Sequence, residues 1–224
     1  MPTLSLRLAK IASFIKKGER VADIGTDHGY LPIYLRRENI SPAVLACDIR
    51  MSPLSVAMKN VTLSNTDGVA FRLCDGLEGI EKNEVDTIVI AGMGGELICD
   101  ILSRCGWARS SGKHFILQPM NSPEIVREFL YKNGYSLCAE AAVADGGRIY
   151  TVMDVLATPD STARDEEFFF TGLLNPEKEC DREMLAKQYS RLLGCLEGLK
   201  SLEDKSQYDY YLRAADYIKA KLDN

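Results

Sequence analysis

The sequence has few of the residues that build metal centres and nucleophilic triads. It holds only two histidines, His28 and His114, which lie far apart, and its seven cysteines form no CxxC pair. A zinc site is therefore not expected, and reduced thiols are favoured over disulfides. The GxSxG motif of serine hydrolases and the GxxxxGK[ST] motif of nucleoside triphosphatases are also missing. We expect neither a bound metal nor a nucleophilic triad.

Long apolar runs are missing as well. No stretch is long enough to span a membrane, and the amphipathic N-terminus, MPTLSLRLAKIASF, lacks a signal-peptide core and a cleavage site. We therefore expect a cytoplasmic protein that makes no membrane contact.

The net charge of −5 is small but unevenly distributed. Residues 1–59 hold nine Lys/Arg against five acids, whereas residues 157–224 hold ten against fourteen. The basic N-terminal part permits nucleic-acid binding on one face, although solvated surface explains the same charges equally well. The candidate phosphate contacts are Arg7, Lys10, Lys16, Lys17, Arg36 and Arg37.

Two kinds of hydrophobic pattern divide the chain. Up to about residue 156, short β-branched runs alternate with amphipathic segments, which predicts an α/β fold with a mostly parallel sheet. The predicted strands are 20–24, 43–48, 69–74, 86–91 and 113–118. The predicted helices are 4–16, 30–39, 53–65, 95–104 and 122–133.

The end of this alternating part is informative. Two extended runs, 135–144 and 148–156, are separated only by the Asp-Gly-Gly sequence at 145–147, so that no helix fits between them. They must therefore pair antiparallel as a hairpin. Five strands followed by a hairpin predict a seven-stranded sheet with one antiparallel strand, which is typical of the Rossmann-like class I methyltransferase fold.

The remaining sequence predicts a helical unit. A polar stretch precedes an apolar patch at 168–170, which we expect to dock on a neighbouring surface. Two segments, one starting near Pro176 and one around 208–222, have apolar residues at helical spacing, which predicts an antiparallel coiled-coil hairpin. The predicted domains are 1–157, the methyltransferase domain, and 158–224, the linker and coiled-coil hairpin.

The stretch VADIGTDHGY, residues 21–30, has the pattern of a strand that leads into a ligand-binding turn. Its glycines allow a ligand to approach the backbone closely. Asp23 and Asp27 would repel a diphosphate and attract an ammonium or sulfonium group. The turn therefore suits S-adenosyl-L-methionine (SAM) as a ligand, and a tight turn without any ligand is the alternative.

Further strand ends carry polar or glycine-rich motifs. Asp48, 23 positions after Gly25, lies where ribose hydroxyls are held, and Asp75 could accept a hydrogen bond from an adenine amino group. A helix-initiating acid and an Asx turn are the respective alternatives. The loop 92–95 leaves its backbone open, and the motif 117–121 offers amides that could orient a base edge. Together these strand ends predict a binding site at one edge of the sheet.

Four motifs resemble a known family. They are SLRL at 5–8, DIGTDHGYLP at 23–32, AGMGG at 91–95 and QPMN at 118–121. They look like those of the bacterial tRNA (adenine-N1)-methyltransferases of the TrmK type, which modify the adenine at position 22 of tRNA. The resemblance covers the whole chain and implies a SAM cofactor, a tRNA substrate and a helical domain that helps to hold the tRNA. A monomer would suffice for this function.

The resemblance also implies roles for individual residues. The expected catalytic residues are Asp27, His28, Gly92 and Met93. The expected cofactor-binding residues are Asp23, Gly25, Thr26, Asp27, His28, Asp48, Ile49, Asp75, Gly76 and Gly92. The expected substrate-binding residues are Arg7, Lys10, Gly94, Gly95, Gln118 and Asn121.

Such a reaction needs no strong base, because neutral adenine carries a free lone pair on N1. The protein must flip out the base, desolvate it and align N1 with the methyl donor. We expect the 92–95 backbone to accept a hydrogen bond from the exocyclic amine and Asp27 to supply negative potential. His28 is expected to make a positioning contact rather than to act as a general base.

Two other functions stay open. A SAM-dependent enzyme acting on a protein or a small molecule would carry the same cofactor motifs, with the helical hairpin as a dimer or partner arm. An RNA- or protein-binding module on an inactive Rossmann-like core is disfavoured by the intact Asp48, Asp75 and glycine loops.

Overall fold

The chain folds around one seven-stranded sheet. The computed structural model describes residues 4–109, 112–159, 162–201 and 205–223. The strands are β1 (Val21–Ile24), β2 (Val44–Asp48), β3 (Val69–Leu73), β4 (Thr87–Met93), β5 (His114–Pro119), β6 (Ser136–Asp145) and β7 (Arg148–Leu156). They lie in the order β3-β2-β1-β4-β5-β7-β6, and β7 runs antiparallel to both of its neighbours. The predicted seven-stranded sheet with one antiparallel strand is confirmed.

Helices flank the sheet and extend beyond it. They are α1 (Leu6–Phe14), α2 (Tyr30–Arg37), α3 (Met51–Leu63), α4 (Gly95–Arg104), α5 (Pro123–Lys132), α6 (Phe168–Thr171), α7 (Glu179–Leu199) and α8 (Ser206–Asp223). The first helix is shorter than the predicted range 4–16. The Ser5 hydroxyl accepts a hydrogen bond from Leu8 N at 3.3 Å and fixes its start, and Ile15 is already extended. None of the described helices is both long enough and apolar enough to cross a bilayer.

Two apolar cores lie on the two faces of β4 and β5. Val89 and Ile116 point to one face, where they pack with Ile11 of α1. Ile90 and Phe115 point to the other face, which α4 and α5 cover. Because successive side chains alternate across a strand, the continuous apolar runs of these two strands fill two cores at once.

The C-terminal hairpin has a third core. Its buried residues include Phe170, Leu185, Leu192, Leu196, Ala214, Ala215 and Ile218. The cluster continues into Ala142 of β6 and Ile149 of β7, so the hairpin packs directly on the sheet and the patch at 168–170 docks as expected. The contact between the hairpin and the rest of the chain is not wholly apolar, because the buried Gln188 of α7 donates a hydrogen bond to Glu124 of α5 at 3.3 Å.

Buried charges reinforce this junction. Arg127 of α5 donates from Nε and Nη2 to Oε1 of Glu140 on β6, at 3.0 and 2.8 Å, and both side chains are buried. Arg127 Nη1 also donates to Phe169 O at 2.6 Å, while Leu173 N donates to Glu140 Oε2 at 2.9 Å. Asp181 of α7 accepts a hydrogen bond from the backbone of β6 at 2.6 Å. These contacts fix the segment between the sheet and the hairpin.

Candidate functional site

A cleft of about 380 Å³ opens at the carboxyl edge of the parallel strands. Gly25 and Asp27 line it after β1, residues 48–50 after β2, 74–76 after β3, and 91–93 at the end of β4. Helix α4 supplies an apolar wall. Ligands of open α/β sheets bind at this edge. The structure therefore brings together four of the strand ends that the sequence singled out.

The turn after β1 packs tightly beneath the cleft. Gly25 has a φ of +79°, and a Cβ at this position would overlap Cε of Met93. The amides of Gly25 and Thr26 both donate to Cys47 O at 2.8 Å and anchor the turn to β2. Thr26 is buried and does not line the cleft, although it was expected to bind the cofactor directly. A side chain at position 25 would have to displace Met93, which also lines the cleft.

Asp23 lies under this turn as a buried carboxyl group. It is 8% exposed, and burial raises its pKa from 3.8 to about 6. The negative charge of Asp48 also raises the pKa, whereas the positive charge of Arg7 lowers it. Asp23 does not line the cleft itself, so it can act on a cationic ligand through its charge.

Asp48 is oriented by the backbone that follows it. Its Oδ1 accepts a hydrogen bond from Arg50 N at 2.7 Å, which fixes the carboxylate at the cleft wall. Among the described residues, no hydrogen bond engages Oδ2. One carboxylate oxygen could therefore accept a hydrogen bond from a ligand, and the ribose contact of Asp48 stays a prediction. Ile49 follows at the rim, 60% exposed, and offers an apolar surface to a purine ring.

Asp75 is held by an arginine that the sequence did not indicate. Arg104 of α4 donates to both carboxylate oxygens of Asp75, at 3.2 and 3.1 Å, and also contacts Glu78 and Asp100 at 2.6 and 3.0 Å. The only feature of the sequence that could have indicated an ion pair of Arg104 is its i,i+4 spacing from Asp100. A carboxylate oxygen accepts more than one hydrogen bond, so Asp75 can still accept one from an adenine amino group. Gly76 packs closely below, where a Cβ would lie 2.9 Å from Ile101.

The loop 92–95 is shaped by two amide side chains. Gly92 N donates to Gln118 Oε1 and Gly95 N to Asn121 Oδ1, each at 3.1 Å. Gln118 is fully buried, and its Nε2 donates to Pro119 O at 2.8 Å. The expectation that Gln118 orients a base edge is therefore corrected, because its amide is used within the protein. Gln118 and Asn121 support the loop on which a base would rest.

Two arginines predicted to contact phosphate are engaged inside the protein. Arg7 Nη1 donates to Gln118 Oε1 at 2.6 Å, and its guanidinium lies 5.7 Å from the Tyr150 ring centroid. Arg36 donates to Asp67 Oδ1 at 3.0 Å and to a backbone carbonyl. Lys10 remains near the surface, with Nζ 5.8 Å from the Phe14 ring centroid. Arg7 therefore supports the 92–95 loop through Gln118 and is not a free cation at the surface.

His28 lies at the mouth of the cleft and does not line it. Its Nε2 is 3.3 Å from Asp27 Oδ2, and its ring stacks on Tyr30 with a centroid distance of 5.2 Å. Asn60 of α3 donates to His28 O at 2.9 Å. The geometry therefore supports a positioning role for His28 better than the expected direct contact with the cofactor.

The charges of the cleft favour a cationic ligand. Asp27, Asp48 and Asp75 line it against one cation, Arg50, and the buried Asp23 lies beneath. This set repels a diphosphate and attracts a sulfonium. The close packing at Gly25 and the single open oxygen of Asp48 fit an adenosyl group. Among the described residues, no three His, Cys, Asp or Glu side chains cluster as a metal site would require.

Comparison with known proteins agrees with this geometry. A family model described as "Methyltransferase domain" matches residues 4–153. The tRNA (adenine(22)-N(1))-methyltransferase of Bacillus subtilis is 38% identical over 173 residues, which cover 76% of this chain and 72% of that protein.

Solved structures extend the similarity to the helical hairpin. The B. subtilis m1A22 tRNA methyltransferase TrmK superposes with a TM-score of 0.82 and 27% identity, covering 100% of this chain and 97% of that one. M. capricolum TrmK, in complex with the cofactor product S-adenosyl-homocysteine, gives a TM-score of 0.81 and 26% identity, with 98% of each chain covered.

Proposed function

The chain belongs to the family of bacterial tRNA (adenine(22)-N(1))-methyltransferases, and we propose that it transfers the methyl group of SAM to N1 of adenine 22 in tRNA. The observation that carries this proposal is the acidic cleft beside an open glycine loop, which puts a cationic methyl donor next to a place for a base. A cytoplasmic, monomeric enzyme with domains 1–157 and 158–224 is part of the proposal.

Residues at the strand ends would hold the cofactor. Asp48 would accept from the ribose hydroxyls through its open oxygen, and Asp75, fixed by Arg104, would accept from the adenine amino group. Ile49 and Gly76, which also line the cleft, would contact the purine. Asp23 and Asp27 supply negative potential to the amino-acid and sulfonium end.

Positioning and charge stabilisation account for the chemistry. When bound, SAM would supply an electrophilic methyl group: the N1 lone pair would form the N–CH3 bond as the S–CH3 bond breaks, with S-adenosyl-homocysteine as the leaving group. The backbone of 92–95, held by Gln118 and Asn121, orients the exocyclic amine so that N1 faces the donor. The product ring is positively charged, and Asp27 stabilises that charge as it develops. Met93, in contact with the Gly25 turn, shapes the space between base and donor.

Methylation of unmodified tRNA tests the proposed function. The protein is incubated with labelled SAM and a tRNA transcript, and the modified base is mapped. We expect one methyl group at N1 of adenine 22 and none when that adenine is replaced by guanine. Methylation of a protein or a small molecule, with no transfer to tRNA, would establish the alternative function instead.

Affinity for SAM should fall as the pH drops through about 6. Burial raises the pKa of Asp23 to about 6 in the free protein, and a bound cation favours the ionised form, so that binding is accompanied by loss of a proton. Below pH 6 we expect the Kd for SAM to rise about tenfold per pH unit. Calorimetric titration between about pH 5 and 7 measures this change.

The matched variant for this titration is Asp23→Asn. It should bind SAM weakly and with a Kd that does not follow pH in this range. The stability contribution of Asp23 is present below its unfolded pKa and lost as pH rises through about 6. Asp23→Asn should therefore be no less stable than the wild type at neutral pH. A wild-type Kd that stays constant down to pH 5 would contradict the role of Asp23.

A further inference from the structure

A second groove lies beside the cleft, between α2 and α3. Its volume is about 380 Å³, and its wall includes the rings of Tyr30 and Tyr34, the amide of Asn60 and the apolar side chain of Leu63. It shares none of its described lining residues with the cleft at the strand ends. The site described so far therefore leaves this groove without a role.

An aromatic surface connects the groove to the cleft. The rings of His28 and Tyr30 are stacked with an interplanar angle of 10° and centroids 5.2 Å apart. Both are accessible, since 47% of the His28 side chain and 38% of Tyr30 are exposed. Asp27, directly before His28, lines the cleft. A stacked pair of rings thus lies between Asp27 at the cleft and the groove that Tyr30 lines.

The connecting segment is fixed before any ligand binds. Gly29, between the two rings, has a φ of +70°, and a Cβ there would lie 3.2 Å from Ala57 of α3. Asn60 donates to His28 O at 2.9 Å and ties the same segment to α3. A ligand that stacks here would lose little affinity to ordering of the protein.

The helices that form the groove carry positive charge. Their sequences include Arg36, Arg37 and Lys59 and no acidic residue, although Glu38 follows α2 directly. Of these charged residues, only Arg37 and Glu38 line the groove, and Arg36 is ion-paired with Asp67 at 3.0 Å. Exposed aromatic rings in such a groove are typical stacking surfaces for unpaired nucleotides.

We propose that this groove is a second nucleotide subsite, which receives an unpaired base next to the target adenine of the tRNA. The inference rests on the proposed function, because an adenine that is flipped into the cleft leaves its neighbours without a stacking partner. Tyr30 and Tyr34 provide stacking surfaces, and Asn60 offers its amide oxygen to a base edge. The subsite would make the enzyme sensitive to the nucleotides beside its target.

Substitution of the aromatic residues tests the subsite. Tyr30→Ala and Tyr34→Ala should each weaken tRNA binding about 5- to 150-fold, the range that loss of one base–aromatic stack produces. Tyr30→Trp should retain affinity, and the Kd for SAM should be unchanged in all three. The control is Tyr131→Leu, which removes an aromatic ring of the same 38% exposure from the last turn of α5, at the opposite edge of the sheet, and keeps an apolar side chain against Phe169.

Photocrosslinking supplies a readout that does not depend on how the variants fold. Wild-type protein is irradiated with tRNA that carries 5-iodouridine on either side of the target adenine, and the crosslinked peptide is identified. We expect the peptide with Tyr30 or Tyr34. Crosslinks elsewhere, an unchanged tRNA affinity of the alanine variants, or a weakened SAM affinity would each overturn the subsite. Methyl transfer by the wild type is measured in parallel, and only its absence contradicts the proposed function.

Discussion

Asp27→Asn should lower the methylation rate about 100-fold, which is the loss expected when one group that stabilises transition-state charge is removed. The substitution preserves the shape of the side chain and removes only its charge. Asp27 lines the cleft directly after the Gly25 turn, where we propose that positive charge passes from the donor to the base. Single-turnover methylation with saturating SAM and tRNA measures the effect.

This loss should be separable from binding and folding. Asp27 is 74% exposed, so the free energy of unfolding should change by no more than about 0.5 kcal/mol. Affinity for tRNA should stay the same or improve, because a negative charge near the phosphates is removed. Asp67→Asn is the matched control, since Asp67 is an exposed acid that pairs with Arg36 and does not line the cleft. A wild-type rate in Asp27→Asn would show that its charge has no part in the reaction.

Glu140→Gln should destabilise the protein by about 3–5 kcal/mol, because it leaves the charge of Arg127 buried without its counterion. The side chains of Arg127 and Glu140 are 1% and 0% exposed, so that water cannot replace the lost partner. The same pair holds Phe169 and Leu173, through which the hairpin is attached. Denaturant unfolding of the full chain measures the free energy of unfolding. The affinity for tRNA shows whether the hairpin is still attached as in the wild type.

Two further variants test whether the loss of stability is specific to the buried ion pair. Arg213→Met breaks the exposed pair with Glu167 at the same junction and should cost no more than about 1 kcal/mol. The double variant Arg127→Met with Glu140→Leu removes both buried charges and should recover most of the stability. A cost below about 1 kcal/mol for Glu140→Gln would mean that the pair does not secure the junction.

Local sequence patterns predicted the fold well. Each strand of the sheet is a short apolar run bounded by turn residues, and the Asp-Gly-Gly turn at 145–147 leaves no choice but a hairpin. Helix ends were less predictable, because a cap such as Ser5 and the backbone of Ile15 set the bounds of α1. The cleft followed from the same patterns, since parallel strands bring their carboxyl ends to one edge.

The sequence by itself determined which strand ends meet and that the acids after β1, β2 and β3 surround one cleft, because strand period and turn chemistry are local properties. The tertiary structure alone decided how those groups are held. Arg7 and Gln118 are 111 residues apart, and Arg104 and Asp75 are 29 apart. No periodicity links such pairs. The partners of long polar side chains are set only when the helices pack on the sheet. Where a group is buried, as Gln118 is, leaving it unpaired would also be costly.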